Sequence, residues 1–90
     1  MQEEFTVVID FVRYHFKRIY HPELALTYHV HFNAGFHATV FRMRRNISGS
    51  WKILPMQLPL YVSKCEAQFH TAIEKNEQLL KDFAASGGEA

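Results

Sequence analysis

Histidine is the residue type with the most chemical potential in this sequence, with six copies in 90 residues. His29, His31 and His37 lie on either side of Asn33-Ala34-Gly35, which has the composition of a three-residue hairpin loop. With that loop His31 faces His37 across the strands, and His29 lies two residues along on the same face. Cross-strand Cβ atoms are about 5 Å apart, near the reach of shared metal coordination. A divalent-metal site, with zinc as the candidate ion, is therefore one hypothesis. No carboxylate nearby in sequence orients these rings, and the spacing matches no established metal motif.

A basic segment offers a second chemistry. Arg42, Arg44 and Arg45 lie close to Trp51, a combination that can hold phosphates and stack bases. The net charge is only +1, which argues against strong general binding of nucleic acid. Residues 1–55 contain seven Lys or Arg and four acidic residues, whereas residues 56–90 contain three and five. Weak nucleic-acid binding through the three arginines is thus a further alternative, although no recognition motif accompanies them.

Sequence signatures of catalysis are absent. The chain has no glycine-rich phosphate loop, no nucleophile elbow and no His-Glu-x-x-His motif. Its single cysteine, Cys65, can form no internal disulfide and lies on the apolar side of a predicted helix, where cysteine is usually inert. We therefore expect a protein without enzymatic activity.

The elements that must position these residues start with a central hairpin. Apolar residues alternate with polar ones from Leu26 to Phe32, which predicts a strand with one buried face. A second strand is predicted from Phe36 to about Arg44 and a short third one at Trp51–Leu54. The three-residue loop pairs Phe32 with Phe36, Val30 with Ala38 and Tyr28 with Val40.

The C-terminal third has the pattern of an amphipathic helix. Its apolar stripe consists of Val62, Cys65, Phe69, Ala72, Ile73, Asn76, Leu80 and Phe83. The predicted core places Phe36, Val40 and their strand neighbours under Phe69, Ile73 and Leu80. Residues 3–20 are compatible with a helix or with two strands turning near Asp10-Phe11, and the β-branched run Thr6-Val7-Val8-Ile9 favours the strands.

These elements predict an α+β fold, in which an antiparallel meander packs against one long C-terminal helix. The meander has about five strands, or three with an N-terminal helix. Residues 1–85 form a single domain in this interpretation, and 86–90 form a disordered tail. The chain contains no apolar run of about 18 residues, and its acidic first residues lack the positive region of a signal peptide. We expect a cytoplasmic protein without membrane contact.

The sheet face turned away from the helix is the remaining candidate for function. In the predicted register it combines apolar and weakly polar groups with few charges, which is typical of a partner surface. The residues are Thr27, His29, His31, His37, Thr39, Phe41 and Met43. The primary hypothesis is therefore a protein-interaction or self-association module acting through this face.

Overall fold

The sheet contains five antiparallel strands in chain order, followed by two helices. The structure is a computed structural model that describes residues 3–21 and 24–87. The strands are β1 (Glu4–Ile9), β2 (Val12–His21), β3 (Leu24–Ala34), β4 (His37–Arg45) and β5 (Trp51–Ile53). A one-turn helix α1 (Leu60–Ser63) precedes the long helix α2 (Glu66–Gly87). The predicted α+β meander with a C-terminal helix is confirmed, in its five-strand form.

The long helix α2 extends further than the sequence predicts. Helix α2 continues through Gly87, so it includes the first two residues of the predicted tail, while 88–90 lie outside the described residues. In the part of the chain that the structure describes, no helix has the length and hydropathy needed to cross a bilayer.

The β1–β2 hairpin forms although its turn lacks the usual residues. Ile9 pairs with Val12, which leaves Asp10 and Phe11 as the two turn residues. Both have positive φ, 51° and 66°, as a type I′ turn requires and as Asn-Gly would adopt readily. The predicted turn near Asp10-Phe11 is thus confirmed. Pairing of the two strands holds Phe11, which is fully exposed, in a left-handed backbone conformation that is unfavourable for a residue with a side chain.

Replacing Phe11 with glycine is expected to raise the free energy of unfolding by about 0.5–1 kcal/mol. A left-handed conformation costs a residue with a Cβ atom about 1–2 kcal/mol, and part of that gain is offset by the greater chain entropy of glycine when unfolded. Urea denaturation measures the change. Phe11→Ala is the control, because it removes the exposed ring and keeps the Cβ atom, and it should leave stability unchanged. A less stable glycine variant would contradict this explanation.

The β3–β4 hairpin differs from its predicted register. Its turn contains two residues, Gly35 and Phe36, because Ala34 pairs with His37. Gly35 has a φ of 66°, which suits glycine at the first turn position. Phe32 therefore pairs with Thr39 instead of Phe36. The register is shifted by three residues. Because side chains alternate between the two faces of a strand, a shift by an odd number turns every side chain of β4 to the face opposite the one predicted.

The core lies between the sheet and α2 and is rich in aromatic rings. The Phe69 ring centroid lies 4.8 Å from Tyr14, 5.7 Å from Phe16 and 5.6 Å from Phe41. Phe36 and Val40, both predicted in the core, are 105% and 40% exposed because of the register shift. Phe83, at the end of the predicted apolar stripe, is also half exposed. The buried apolar residues are Tyr14, Phe16, Tyr28, Val30, Phe32, Phe41, Met43, Trp51, Val62, Cys65, Phe69 and Ile73.

A buried polar cluster joins α2 to β2 and β3. The guanidinium of Arg18 donates two hydrogen bonds to the Glu77 carboxylate, at 2.7 and 3.3 Å. The Tyr28 hydroxyl also donates to Glu77 and accepts a bond from the Asn76 amide at 2.9 Å. The cluster fixes the helix against the sheet, because each buried polar group finds its partner only in this arrangement.

Helix side chains also cover the free edge of β5. The backbone N–H of Trp51 donates to Nδ1 of His70 at 2.9 Å, and that of Ile53 donates to the carboxylate of Glu66 at 2.8 Å. Unpaired donors on an edge strand are a template for pairing with another chain. Here two side chains of α2 satisfy them.

Candidate functional site

The sheet face turned away from α2, called the open face below, consists of strand residues that alternate with the core residues. The strand pairing aligns them in rows across the sheet. One row contains Thr6, His15, His31 and Val40. The next contains Glu4, Lys17, His29 and Arg42, and the third contains Ile19, Thr27, Arg44 and Lys52.

The open face is strongly basic. Among the described residues it carries one acidic side chain, Glu4, and five basic ones: Arg13, Lys17, Arg42, Arg44 and Lys52. On the other side of the sheet, helix α2 carries four acidic residues, Glu66, Glu74, Glu77 and Asp82, and two lysines, Lys75 and Lys81, so its side chains are acidic on balance. The net charge of +1 therefore conceals a separation of charge between two faces of the molecule.

Most of these cations are not neutralised within the protein. In the ranges 3–21 and 24–87, no carboxylate forms an ion pair with Arg13, Lys17, Arg42 or Arg44. Lys52 is the exception, since its ammonium group lies 3.3 Å from Glu66. Four cations on one surface are therefore available to an anionic ligand, and only Lys17 has an acidic residue, Glu4, opposite it in the strand register.

Arg44 is held in place by hydrogen bonds that leave its charge intact. Its Nε donates to the hydroxyl of Thr27 at 2.9 Å, and that hydroxyl donates to the carbonyl of Ala25 at 2.9 Å. Thr27 is buried and lies on the neighbouring strand, so it restricts the motion of the guanidinium group. When an anion binds, Arg44 therefore loses less side-chain entropy than a freely rotating arginine would lose.

His29 lies among these cations and is half-buried. Burial lowers the pKa of its imidazole, and the positive charges of Arg42, His31 and Lys17 lower it further. The ring is therefore uncharged at neutral pH, with one nitrogen able to donate a hydrogen bond and the other able to accept one.

A cleft opens beside His29 where the chain after β5 runs past β4. Its volume is about 380 Å³. His29 and Arg42 supply its polar groups, and the rest of its lining is apolar, including Val40, Leu54, Pro55 and Met56. The cleft combines an exposed cation, a neutral imidazole and apolar side chains within one concave site.

The predicted three-histidine metal site does not form. His29 and His31 share the open face as expected, but His37 pairs with Ala34 and lies on the helix side of the sheet. His15 takes the place beside His31, with ring centroids 6.4 Å apart, and its Nε2 lies 2.7 Å from the Glu4 carboxylate. Among the residues that the structure describes, no three His, Cys, Asp or Glu side chains are grouped to hold a metal ion. The register shift is the physical reason.

The register shift also changes the predicted interaction face. Thr27, His29 and His31 belong to the open face, whereas Phe41 and Met43 are buried in the core at 1% and 0% exposure. Two further residues of that prediction, His37 and Thr39, lie on the helix side of the sheet. The surface that results is basic rather than apolar.

The predicted arginine site is divided between the two faces. Arg42 and Arg44 lie on the open face, but Arg45 lies on the helix side. There it binds Glu74 at 2.9 Å and stacks over the Trp51 ring, 5.0 Å from its centroid. Arg45 therefore helps to attach the helix and is not free for a ligand.

The sequence places His15 near the other histidines only if its strand lies alongside theirs, as it does, and it does not assign Arg13 and Lys17 to the site. Their signal was present, because they alternate with the apolar Tyr14 and Phe16 along β2. An alternation of this kind places all three on one face once the segment is known to be a strand.

Comparison of the chain with protein-family models, with curated proteins and with solved structures gave no match. A function for this protein must therefore be inferred from the residues of the open face.

Proposed function

We propose that this protein binds nucleic acid through the open face of its sheet. The observation that supports the proposal is the group of four cations there that form no ion pair with another described residue: Arg13, Lys17, Arg42 and Arg44. Neighbouring strands are about 4.8 Å apart, and alternate residues along a strand are about 6.7 Å apart. Arg42 and Arg44 are alternate residues of β4, Lys17 lies two strands from Arg42, and Arg13 lies four residues from Lys17, so neighbouring cations are about 7 to 13 Å apart. These separations allow the cations to contact several phosphates of one strand and to release its bound counterions.

The composition of the face favours nucleic acid over a protein partner. The centres of protein interfaces are depleted of charged residues and enriched in aromatic ones. Nucleic-acid interfaces are more polar and more positively charged. Phe41 and Met43, the residues that favoured a protein partner, are buried in the core. A symmetric dimer formed through this face would place two sets of like charges against each other, which is unfavourable.

The proposal predicts salt-dependent binding of oligonucleotides. Fluorescence anisotropy with a labelled single strand, between about 50 and 200 mM salt, should give a slope of log K against log [salt] of about −3 for four phosphate contacts. Replacing Arg42 and Arg44 together with glutamine should reduce that slope by about 1.4, so the variant's loss of affinity should be about sevenfold greater at 50 mM salt than at 200 mM.

The control variant carries Lys75→Gln and Lys81→Gln, two exposed lysines of α2. It loses the same charge as the arginine variant, but from the opposite side of the molecule, so its affinity and slope should match those of the unmodified protein. Equal weakening by both variants would indicate an effect of net charge alone and would refute the proposed site. Competition by polyglutamate as strong as that by nucleic acid would identify an acidic protein as the ligand instead.

A further inference from the structure

We infer that the cleft beside Arg42 receives one unstacked base of a single-stranded nucleic acid, while Arg42 contacts a phosphate next to that base. The inference rests on the proposed function and extends it from the phosphate backbone to the base. Its basis is the composition of the cleft, where exposed apolar side chains adjoin the cation Arg42 and the imidazole of His29.

The size and walls of the cleft suit a flat aromatic ring. Its volume of about 380 Å³ lies within the range of small-ligand sites. Met56 is 51% exposed and Val40 is 40% exposed, so neither side chain is there to fill the core. The thioether of methionine makes favourable contacts with aromatic rings, and exposed apolar groups gain from being covered by one.

The polar groups of the cleft suit the rest of a nucleotide. The uncharged imidazole of His29 can donate one hydrogen bond and accept another, as recognition of a base edge requires. Arg42 has no ion-pair partner among the described residues, so it is available to a phosphate oxygen. Together the groups match the base and the phosphate of one nucleotide.

The ligand must be single-stranded for this contact. In a duplex each base is stacked on its neighbours and paired, so it cannot enter a cleft without leaving the helix. In a single strand the bases are accessible, and stacking on protein side chains strengthens binding with little dependence on sequence.

Two oligonucleotides of equal length and charge test the inference. One is oligothymidine of about 10 nucleotides, within the usual site size, and the other has the same backbone without bases. The unmodified protein should bind oligothymidine about tenfold more tightly than the abasic strand. Met56→Ser should remove most of this difference by weakening binding of oligothymidine and leaving that of the abasic strand unchanged.

Val8→Ser is the matched control, because Val8 is an exposed apolar residue of the open face on β1, three strands away from β4. It should keep the full preference for oligothymidine. Equal affinity of the unmodified protein for both strands would overturn the inference and leave the proposed function standing. Equal weakening of both strands by Met56→Ser would also overturn it, and failure to bind either strand would overturn the proposed function as well.

Discussion

Replacing Phe69 with alanine is expected to lower the free energy of unfolding by about 4 kcal/mol. Phe69 is fully buried, and its ring packs against the rings of Tyr14, Phe16 and Phe41. Truncation of a buried phenylalanine removes its transfer free energy and leaves a cavity, a combined loss of about 3–5 kcal/mol. Since small domains are stable by only about 5–15 kcal/mol, the variant should be partly unfolded at moderate urea concentrations. Urea denaturation followed by circular dichroism measures the loss.

Phe36→Ala is the informative control for this experiment. The register predicted from sequence places Phe36 in the core, whereas the structure exposes it completely in the β3–β4 turn. Its truncation should therefore change stability by less than about 0.5 kcal/mol. A loss comparable to that of Phe69→Ala would favour the three-residue loop and would contradict the register described here. If Phe69→Ala does not fold, Phe69→Leu provides a milder truncation of the same site.

Replacing Glu77 with alanine is expected to cost about 3 kcal/mol. Its side chain is 11% exposed and its partner Arg18 is 22% exposed, so removal of the carboxylate leaves a mostly buried cation with only its longer ion pair, to Glu3 at 3.7 Å. The Tyr28 hydroxyl loses its acceptor at the same time. Breaking a buried ion pair from one side costs about 3–5 kcal/mol, and the remaining exposure of Arg18 places the value at the lower end. Thermal and urea denaturation both report it.

The same carboxylate should make stability depend on pH. Burial alone would raise the pKa of Glu77, but the hydrogen bonds from Arg18 and Tyr28 outweigh it and hold the pKa below its usual value. A carboxyl group with a lowered folded-state pKa stabilises the fold above its unfolded pKa of about 4.3 and loses that contribution as the pH falls further. The unmodified protein should therefore lose stability more steeply below about pH 4 than Glu77→Gln does.

Glu74→Gln separates this effect from a general loss of charge on α2. Glu74 pairs with Arg45, but both side chains are more than 40% exposed, and such pairs contribute at most about 1 kcal/mol. The variant should retain the acid sensitivity of the unmodified protein. The assignment to Glu77 would be wrong if both variants became equally insensitive to acid.

Local patterns were sufficient to predict most of the fold. The alternation along Tyr14 and Phe16, the β-branched run in β1 and the helical spacing of Phe69, Ile73 and Leu80 each identify an element from neighbouring residues alone. The predicted stripe also included Val62, which lies in the separate helix α1. The buried aromatic residues of β2 and β3 follow from the same alternation. These predictions succeed because the periods of strand and helix are set by backbone geometry.

The predicted register of β4 is wrong because turn chemistry and charge favour different pairings of this strand. The loop Asn33-Ala34-Gly35 is favourable locally, but it places Arg42 and Arg44 on the same face as Val40, against the helix. Burial of two unpaired guanidinium groups costs far more than any turn preference. The two-residue turn puts Phe41 and Met43 inside and both arginines outside. The charges of β4 were therefore the decisive signal in the sequence.

Other parts of the site depend on contacts between distant segments. Arg18 and Glu77 are 59 residues apart, and Arg45 meets Glu74 across the core, so no spacing rule relates them. The cleft exists because the chain after β5 passes beside β4. The basic residues of the open face were visible in the sequence as a local excess, but which of them share a surface was decided by tertiary pairing.

The hydrogen bonds at the edge of β5 link the two sides of the molecule. Because His70 and Glu66 hold the outer amides of this three-residue strand, we expect β5 and the start of α2 to open together, as one cooperative unit of local unfolding. The residues Leu54, Pro55 and Met56 follow β5 directly and line the cleft. The shape of the cleft on the open face therefore depends on the docking of α2 on the opposite face. A change that loosens the start of α2 is expected to disturb the cleft as well.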